Sequence, residues 1–291
     1  KPLPNLGAPS EATDGPRLAA AYGATASDSG LVPLTVARRA PKDDDVEIAI
    51  EFCGLCHSDV HATRGEWGHQ NYPLVPGHEI VGRVSRVGSA VDDIAPGELV
   101  GVGCLVDSCR ECDSCLDGLE QYCENGMTGT YGSKDRRNGD AITQGGYATS
   151  IVVDRRYVLH VPEGLDPAAA APLLCAGITV FAPLRRAGNL AGKTVAVAGI
   201  GGLGHLGVRM AAAMGAHVVA IVRGPGKAEL TRSLGARDVI DSEKEQIGKG
   251  GTGVVFRAEH TRLKRSVALK VLPADRSTDY EALERFYREA R

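Results

Sequence analysis

The chain has 291 residues, 43% hydrophobic and 24% charged, with a formal net charge of -3. That is the balance of an ordinary globular protein with room for two domains, and it argues against a nucleic-acid-binding surface as the main role. The most apolar window, 168–184, carries Pro172, Gly177 and Pro183 and is too short and broken to span a bilayer.

Residues 1–17 combine Pro, Gly, Ser and Asp without an apolar run, which predicts a disordered extension and no signal peptide. Over 18–50, the stretches 31–36 and 46–51 alternate with period two and read as strands, with Asp43-Asp44-Asp45 as an exposed turn before the second. Next come Cys53-Gly54-Leu55-Cys56-His57-Ser58-Asp59-Val60-His61, a strand end entering a loop or short helix. Residues 80–88 and 99–102 are again strand-like, so 18–160 is expected to be a barrel-like or sandwich-like β domain.

Cys56, His78 and Cys175 would make a zinc site of two thiolates and one imidazole, a set that leaves a fourth position open, as catalytic zinc requires. The alternative is a half-buried thiol and a core histidine. Five of the eight cysteines lie between Cys104 and Cys123. Cys109-x2-Cys112-x2-Cys115-x7-Cys123 is the spacing of a closed, tetrahedral structural zinc site. Two Zn2+ per chain are therefore expected, with reduced thiols and a cytoplasmic setting. Cys53 and Cys104 sit in apolar sequence and are expected in the core.

Composition changes after 160. Asp166-Pro167 marks a helix start, and 193–198 reads as a buried strand. That strand runs into Gly199-Ile200-Gly201-Gly202-Leu203-Gly204, then a helix over 206–214 and a strand over 217–222. Strand, glycine loop, helix and strand in this order are the dinucleotide-binding fingerprint, with the helix N-terminus facing the pyrophosphate. An NAD site usually carries an acid after the second strand; here Arg223 and Lys227 follow it, which predicts NADP(H). The alternative is that both are solvated surface charges. A helix over 227–234 and a third strand over 235–241 complete a partial Rossmann domain, 161–242.

Together these stretches, with Trp67, Asn71-Tyr72-Pro73-Leu74-Val75-Pro76-Gly77-His78-Glu79-Ile80-Val81-Gly82, Gln144-Gly145-Gly146-Tyr147 and 171–177, resemble the zinc-dependent medium-chain alcohol dehydrogenases, specifically the cinnamyl-alcohol-dehydrogenase-like branch. The resemblance covers about 18–242. It implies an α/β protein: a GroES-like catalytic domain joined to a Rossmann domain, exchanging a hydride between NADP(H) and a primary alcohol or aldehyde. It supports Cys56, His78 and Cys175 as catalytic-zinc ligands, Glu79 as an occasional ligand, and Asp59 as the partner that fixes the tautomer of His78. It further implies a proton relay through Ser58 and His61, a cofactor contact at His57 and a substrate contact at Trp67, which otherwise reads as a core anchor. The partner is a small alcohol or aldehyde, not a nucleic acid or a membrane, and a homodimer is compatible with the family.

Beyond 242 the pattern departs. Gly248, Gly250 and Gly253, then Lys270 and Glu289, resemble the start of a bacterial-type Ser/Thr protein kinase, so 243–291 is expected to be an N-lobe fragment of hairpin, strand and helix. The kinase catalytic-loop Asp and Asn and its Asp-Phe-Gly do not follow, so no kinase activity is expected. The alternative for the whole chain is a catalytically impaired zinc-binding remnant fused to that fragment.

Overall fold

The computed structural model describes residues 16–243, 246–250, 253–260 and 265–271. The extension expected over 1–17 lies outside them except for Pro16 and Arg17, and so does Glu289. The chain divides into two compact units after Cys175.

The first unit holds β1 (Arg17–Ala24), β2 (Leu31–Arg38), β3 (Asp45–Cys53), α1 (His57–Thr63), β4 (Ile80–Val87), β5 (Leu99–Val102), β6 (Leu105–Asp107), α2 (Asp113–Leu116), β7 (Thr128–Gly129), β8 (Lys134–Asp135), β9 (Ala141–Ile142), β10 (Ser150–Asp154), β11 (Leu159–His160) and α3 (Pro167–Ala170). Its main sheet is antiparallel in the order β10-β3-β4-β5-β11, and β1 and β2 pair as a separate antiparallel ribbon. Alternation in these strands sends Val46, Ile48, Ile80, Val84, Val100, Val102, Ile151 and Val153 into one buried cluster. Each such side chain contributes roughly 1.5–3 kcal/mol of burial. Asp166 caps α3 by accepting from the Ala168 and Ala169 amides, and Ala170 and Ala171 bury against Val81 of β4. That packing carries the first unit to Cys175, beyond the expected 160/161 boundary.

The acidic turn differs from expectation. Asp45 is fully buried and opens β3, because guanidinium groups surround it. Arg137 donates to Asp154 at 2.7 Å and to Asp45 at 3.0 Å and also pairs with Asp44. Arg39 pairs with Asp45, and Arg110 bridges Asp107 and Asp154 at 2.6 and 2.7 Å. The three carboxylates at 44, 45 and 154 converge as a metal-binding group could, but these arginines neutralise them.

The second unit contains α4 (Ala176–Arg186), β12 (Thr194–Ala198), α5 (Gly202–Ala213), β13 (His217–Val222), α6 (Ala228–Ser233), β14 (Asp238–Asp241), β15 (Gln246–Gly250), β16 (Gly253–His260) and β17 (Arg265–Val271). β12, β13 and β14 form a parallel sheet in that order, joined by helical crossovers. Its core is Ile200, Val208, Ala211, Val218, Ala220, Val222 and Ala236. β12 is not the buried strand expected at 193–198: among the described residues it is bonded to β13 alone, and Thr194, Ala196 and Ala198 are exposed. The helix expected from 206 begins four residues earlier, inside the glycine loop. β15, β16 and β17 form a separate antiparallel sheet.

The arginine–carboxylate group generates a prediction. Arg137→Met leaves Asp45 and Asp154 short of a buried counter-charge and should cost about 3 kcal/mol in urea unfolding followed by circular dichroism. Arg137 also holds the Asp44 carboxyl below its ordinary value by hydrogen bonding. A depressed folded-state pKa stabilises above the unfolded value near about pH 4 and is lost as pH falls through the folded value. The difference between wild type and Arg137→Met should therefore be full at neutral pH and shrink in acid.

Candidate metal and cofactor sites

Cys56 is the N-cap of α1. Its amide donates to Asp59 Oδ2 at 3.0 Å, and its Sγ accepts from the Ser58 amide at 3.5 Å, a capping box in which the cap is a thiol. The other oxygen, Asp59 Oδ1, accepts from the Gly77 amide and pairs with His78 Nδ1, both at 3.0 Å. Helix α1 and the segment entering β4 are thus tied through one buried carboxylate. Gly101 and Gly103 admit the turn Ala171–Leu174: a Cβ at either would meet Leu174 at about 2.9 Å. That turn delivers Cys175. One ligand atom each from Cys56, His78, Glu79 and Cys175 lies within 4.8 Å of the others. Gly54 gives Glu79 its space, since a Cβ there would sit 1.9 Å from Glu79 Oε2.

Two soft thiols, an imidazole and a carboxylate in one half-buried group fit a zinc ion. Burial opposes charge on Asp59, but the His78 hydrogen bond and the Cys56 and Gly77 amides outweigh it, and its carboxyl stays below the ordinary range. Burial likewise opposes charge on His78, yet the Asp59 and Cys175 contacts raise it to about 11. Glu79 is pushed up by burial.

The four-cysteine lobe converges as well, with all four Sγ within 4.8 Å of one another and Cys109 and Cys115 3.9 Å apart. Amides point at the sulfurs: Cys109 N to Cys123 Sγ, Cys112 N to Cys109 Sγ and Glu124 N to Cys112 Sγ, each at 3.4 Å. The Glu111 and Cys112 amides lower the Cys109 thiol to about 6. This donor set also fits zinc, closed on all four sides.

The residues around the first cluster separate by exposure. His61 lies on α1 one turn after Ser58. Its Nδ1 is 2.5 Å from Glu66 Oε2, and its ring is 5.2 Å from Trp67 and 6.1 Å from His57. Trp67 is 62% exposed, which removes the core-anchor reading. Glu66 was not a sequence candidate. Its placement comes from the end of α1, where Gly65 at φ +65° lets the Gly65 and Glu66 amides reach back to Ala62 and His61. A glycine four residues after His61 was the available signal. Cys53 packs partly buried against the main core, and Cys104 is half-buried with its thiol lowered by the Cys175 thiol. Tyr131 and Tyr147 flank the cluster, Tyr131 with its ring 5.7 Å from that of His78.

In the second unit, Gly199 takes φ +80° and Gly201 caps α5, whose first turn contains Gly202, Leu203 and Gly204. A Cβ on Gly204 would come within 2.0 Å of the Gly199 carbonyl oxygen, so this tight turn demands glycine. Lys227 Nζ donates to the Ile200 carbonyl at 2.9 Å, lying across the loop, while Arg223 is exposed and 3.4 Å from Glu243. The Gly224 amide donates to Asp241 Oδ1 at 2.9 Å, pinning the turn after β13.

Residues 42–163 match the family described as Alcohol dehydrogenase GroES-like domain, and 202–260 match Zinc-binding dehydrogenase. The second match passes Ser242 and enters the segment expected from its sequence to be a kinase fragment. Aldehyde reductase YahK of Escherichia coli is 52% identical over 223 residues, 76% of this chain and 63% of that protein. NADP-dependent alcohol dehydrogenase C of Mycobacterium bovis is 46% identical over 259 residues, 88% of this chain and 74% of its own. Among solved structures, the cinnamyl alcohol dehydrogenase SbCAD4 of Sorghum bicolor superimposes with TM-score 0.75 at 43% identity, covering 78% of this chain and 65% of that one. A Helicobacter pylori CAD complexed with NADP(H) gives 0.74 at 38%, covering 77% and 65%.

Elemental analysis tests the two donor sets separately. The unmodified protein should carry two zinc ions per chain. Cys109→Ser should lose about one of them and keep the other, because a closed four-thiolate site rarely survives the loss of one ligand.

Proposed function

The chain belongs to the zinc-dependent medium-chain alcohol dehydrogenases, cinnamyl-alcohol-dehydrogenase-like, and from that premise we propose that it exchanges a hydride between NADP(H) and a primary alcohol or its aldehyde. The observation that carries this reading is the convergence of Cys56, His78, Glu79 and Cys175 within 4.8 Å. Cys56, His78 and Cys175 would hold the ion, with Glu79 as the carboxylate beside it. When bound there, zinc supplies Lewis acidity, lowering the pKa of an alcohol or polarising a carbonyl.

The other roles fall to the chain itself. Asp59 Oδ1 accepts a hydrogen bond from the Nδ1–H of His78, which leaves Nε2 as the donor atom for metal. Ser58 and His61 face the same side of α1 one turn apart and are assigned to proton movement. Glu66 holds the His61 ring through Nδ1. Its carboxyl is kept below the ordinary range by that hydrogen bond, so it stays ionised as the acceptor facing the ring. His57 at the start of α1 and the glycines 199, 201, 202 and 204 with Leu203 are assigned to the cofactor. Arg223 and Lys227 are assigned to the 2′-phosphate. Trp67, beside His61, is assigned to the substrate.

The tail reading rests on one feature. The described strands form an antiparallel sheet with Gly250 and Gly253 paired at the β15–β16 turn and Lys270 opposite Val255. That order and pairing favour a kinase-like phosphate-loop fragment; the dehydrogenase match running to residue 260 favours a continuation of the cofactor domain. Cleavage between Ser242 and Gly248 should leave NADPH binding intact on the first reading. Loss of NADPH affinity after cleavage would assign the tail to the cofactor domain.

The activity is tested by NADPH-dependent reduction of aromatic and aliphatic aldehydes with zinc content measured alongside. A zinc-loaded protein that binds NADPH but reduces none of them would favour the impaired-remnant reading. Arg223→Asp should move dinucleotide preference toward NADH by about tenfold or more, since a carboxylate accepts from the 2′-hydroxyl and repels a 2′-phosphate. Equal or tighter NADH binding by the unmodified chain would overturn the NADP(H) assignment.

A further inference from the structure

Asp59 is held by four donors, and one of them has no role so far. Tyr147 Oη donates to Asp59 Oδ2 at 3.0 Å, the oxygen that also takes the Cys56 amide. The ring's position is fixed by backbone on both sides. The Tyr147 amide donates to the Pro76 carbonyl at 3.0 Å, its own carbonyl accepts from the Tyr22 amide at 2.8 Å, and the Gly146 amide donates to the Gly77 carbonyl at 2.8 Å. Gly77, at φ +103°, leaves the space the ring fills: a Cβ there would be 2.7 Å from Tyr147 Cδ1. The segment carrying Tyr147 is therefore laced to the segment that carries His78 and Glu79.

We infer that Tyr147 is a positioning residue for the Cys56–His78–Cys175 site, acting through Asp59. This rests on the reading of that site as a metal centre. Asp59 Oδ1 serves His78 and Gly77, and Oδ2 serves Cys56 and Tyr147. With the phenol in place, both oxygens have two donors, and the carboxylate plane is fixed relative to the imidazole. Without it, Oδ2 loses one hydrogen bond and keeps that from the Cys56 amide. The carboxylate is then free to turn about its own axis, and its charge concentrates on the oxygen facing His78. Both changes disturb the ring orientation and donor strength of His78, and the first also loosens the N-cap on which Cys56 sits.

Tyr147→Phe keeps the ring against Gly77 and removes one oxygen; Tyr147→Met is a second variant without the hydroxyl. In zinc-loaded protein challenged with a chelator, both should release the Cys56–His78–Cys175 ion about tenfold faster, a typical consequence of losing a group that orients a ligand. Release from the four-cysteine lobe in the same sample should be unchanged, which reports an intact fold. Cobalt-substituted Tyr147→Phe should show a shifted visible band. The deciding comparison is with Asp59→Asn: if Tyr147 acts through Asp59, the double variant should release no faster than Asp59→Asn alone. Release within twofold of wild type in Tyr147→Phe, or a double-variant effect equal to the product of the two single effects, would overturn the inference while leaving the metal site standing. A wild-type chain that binds metal only at the four-cysteine lobe would remove the site reading, and this inference with it.

Discussion

One carboxylate organises the first unit's site. Asp59 is buried, and a buried carboxylate without partners is unfavourable by several kcal/mol. Four donors meet it: the amides of Cys56 and Gly77, the His78 imidazole and the Tyr147 phenol. They come from three separate stretches of chain, the cap of α1, the entry to β4 and the entry to β10. Satisfying the charge and assembling the ligands are therefore the same event. The carboxylate cannot be desolvated at low cost until those stretches are together, and once they are, Cys56 and His78 already stand beside each other.

Close approach is the second constraint, and it is met by deleting side chains. Gly54 makes room for Glu79, Gly77 for the Tyr147 ring, and Gly101 and Gly103 for the turn that ends at Cys175. In the second unit Gly204 lies against the Gly199 carbonyl, which lets α5 start inside the loop rather than after it. A helix beginning there directs its free amides at the loop, the geometry that suits a pyrophosphate.

Most of this was legible where the signal was local. The strand at 217–222 matches β13 residue for residue, because an uninterrupted apolar run beside a glycine loop has few other readings. The cysteine spacing pointed to a lobe whose thiols do converge. What was not legible depended on partners distant in sequence. Asp45 looks like a turn residue until Arg137, ninety-two residues away, is known to pair with it. The strand at 193–198 has a core-like composition, yet its exposure is set by which neighbours it has in the sheet, and composition does not encode that. Tyr147 was visible as part of a motif, whereas its hydroxyl's partner, eighty-eight residues earlier, was not.

The groups around Cys56 divide into two sets with opposite exposure, and the division suits their assigned work. His78 and Asp59 are buried, with side chains 6% and 4% exposed, where a fixed tautomer and a fixed orientation matter and exchange with water would be harmful. His61 and Glu66 are 39% and 44% exposed, the contact with solvent that the proposed relay requires. Both pairs are an imidazole Nδ1 against a carboxylate, but the His78 pair is enclosed and the His61 pair is open to water. The buried pair would have to strip or add charge in a low-dielectric site already committed to four hydrogen bonds. Helix α1 carries one member of each pair, Asp59 on its buried face and His61 on its wetter one, so a single short helix presents both of the roles proposed for it.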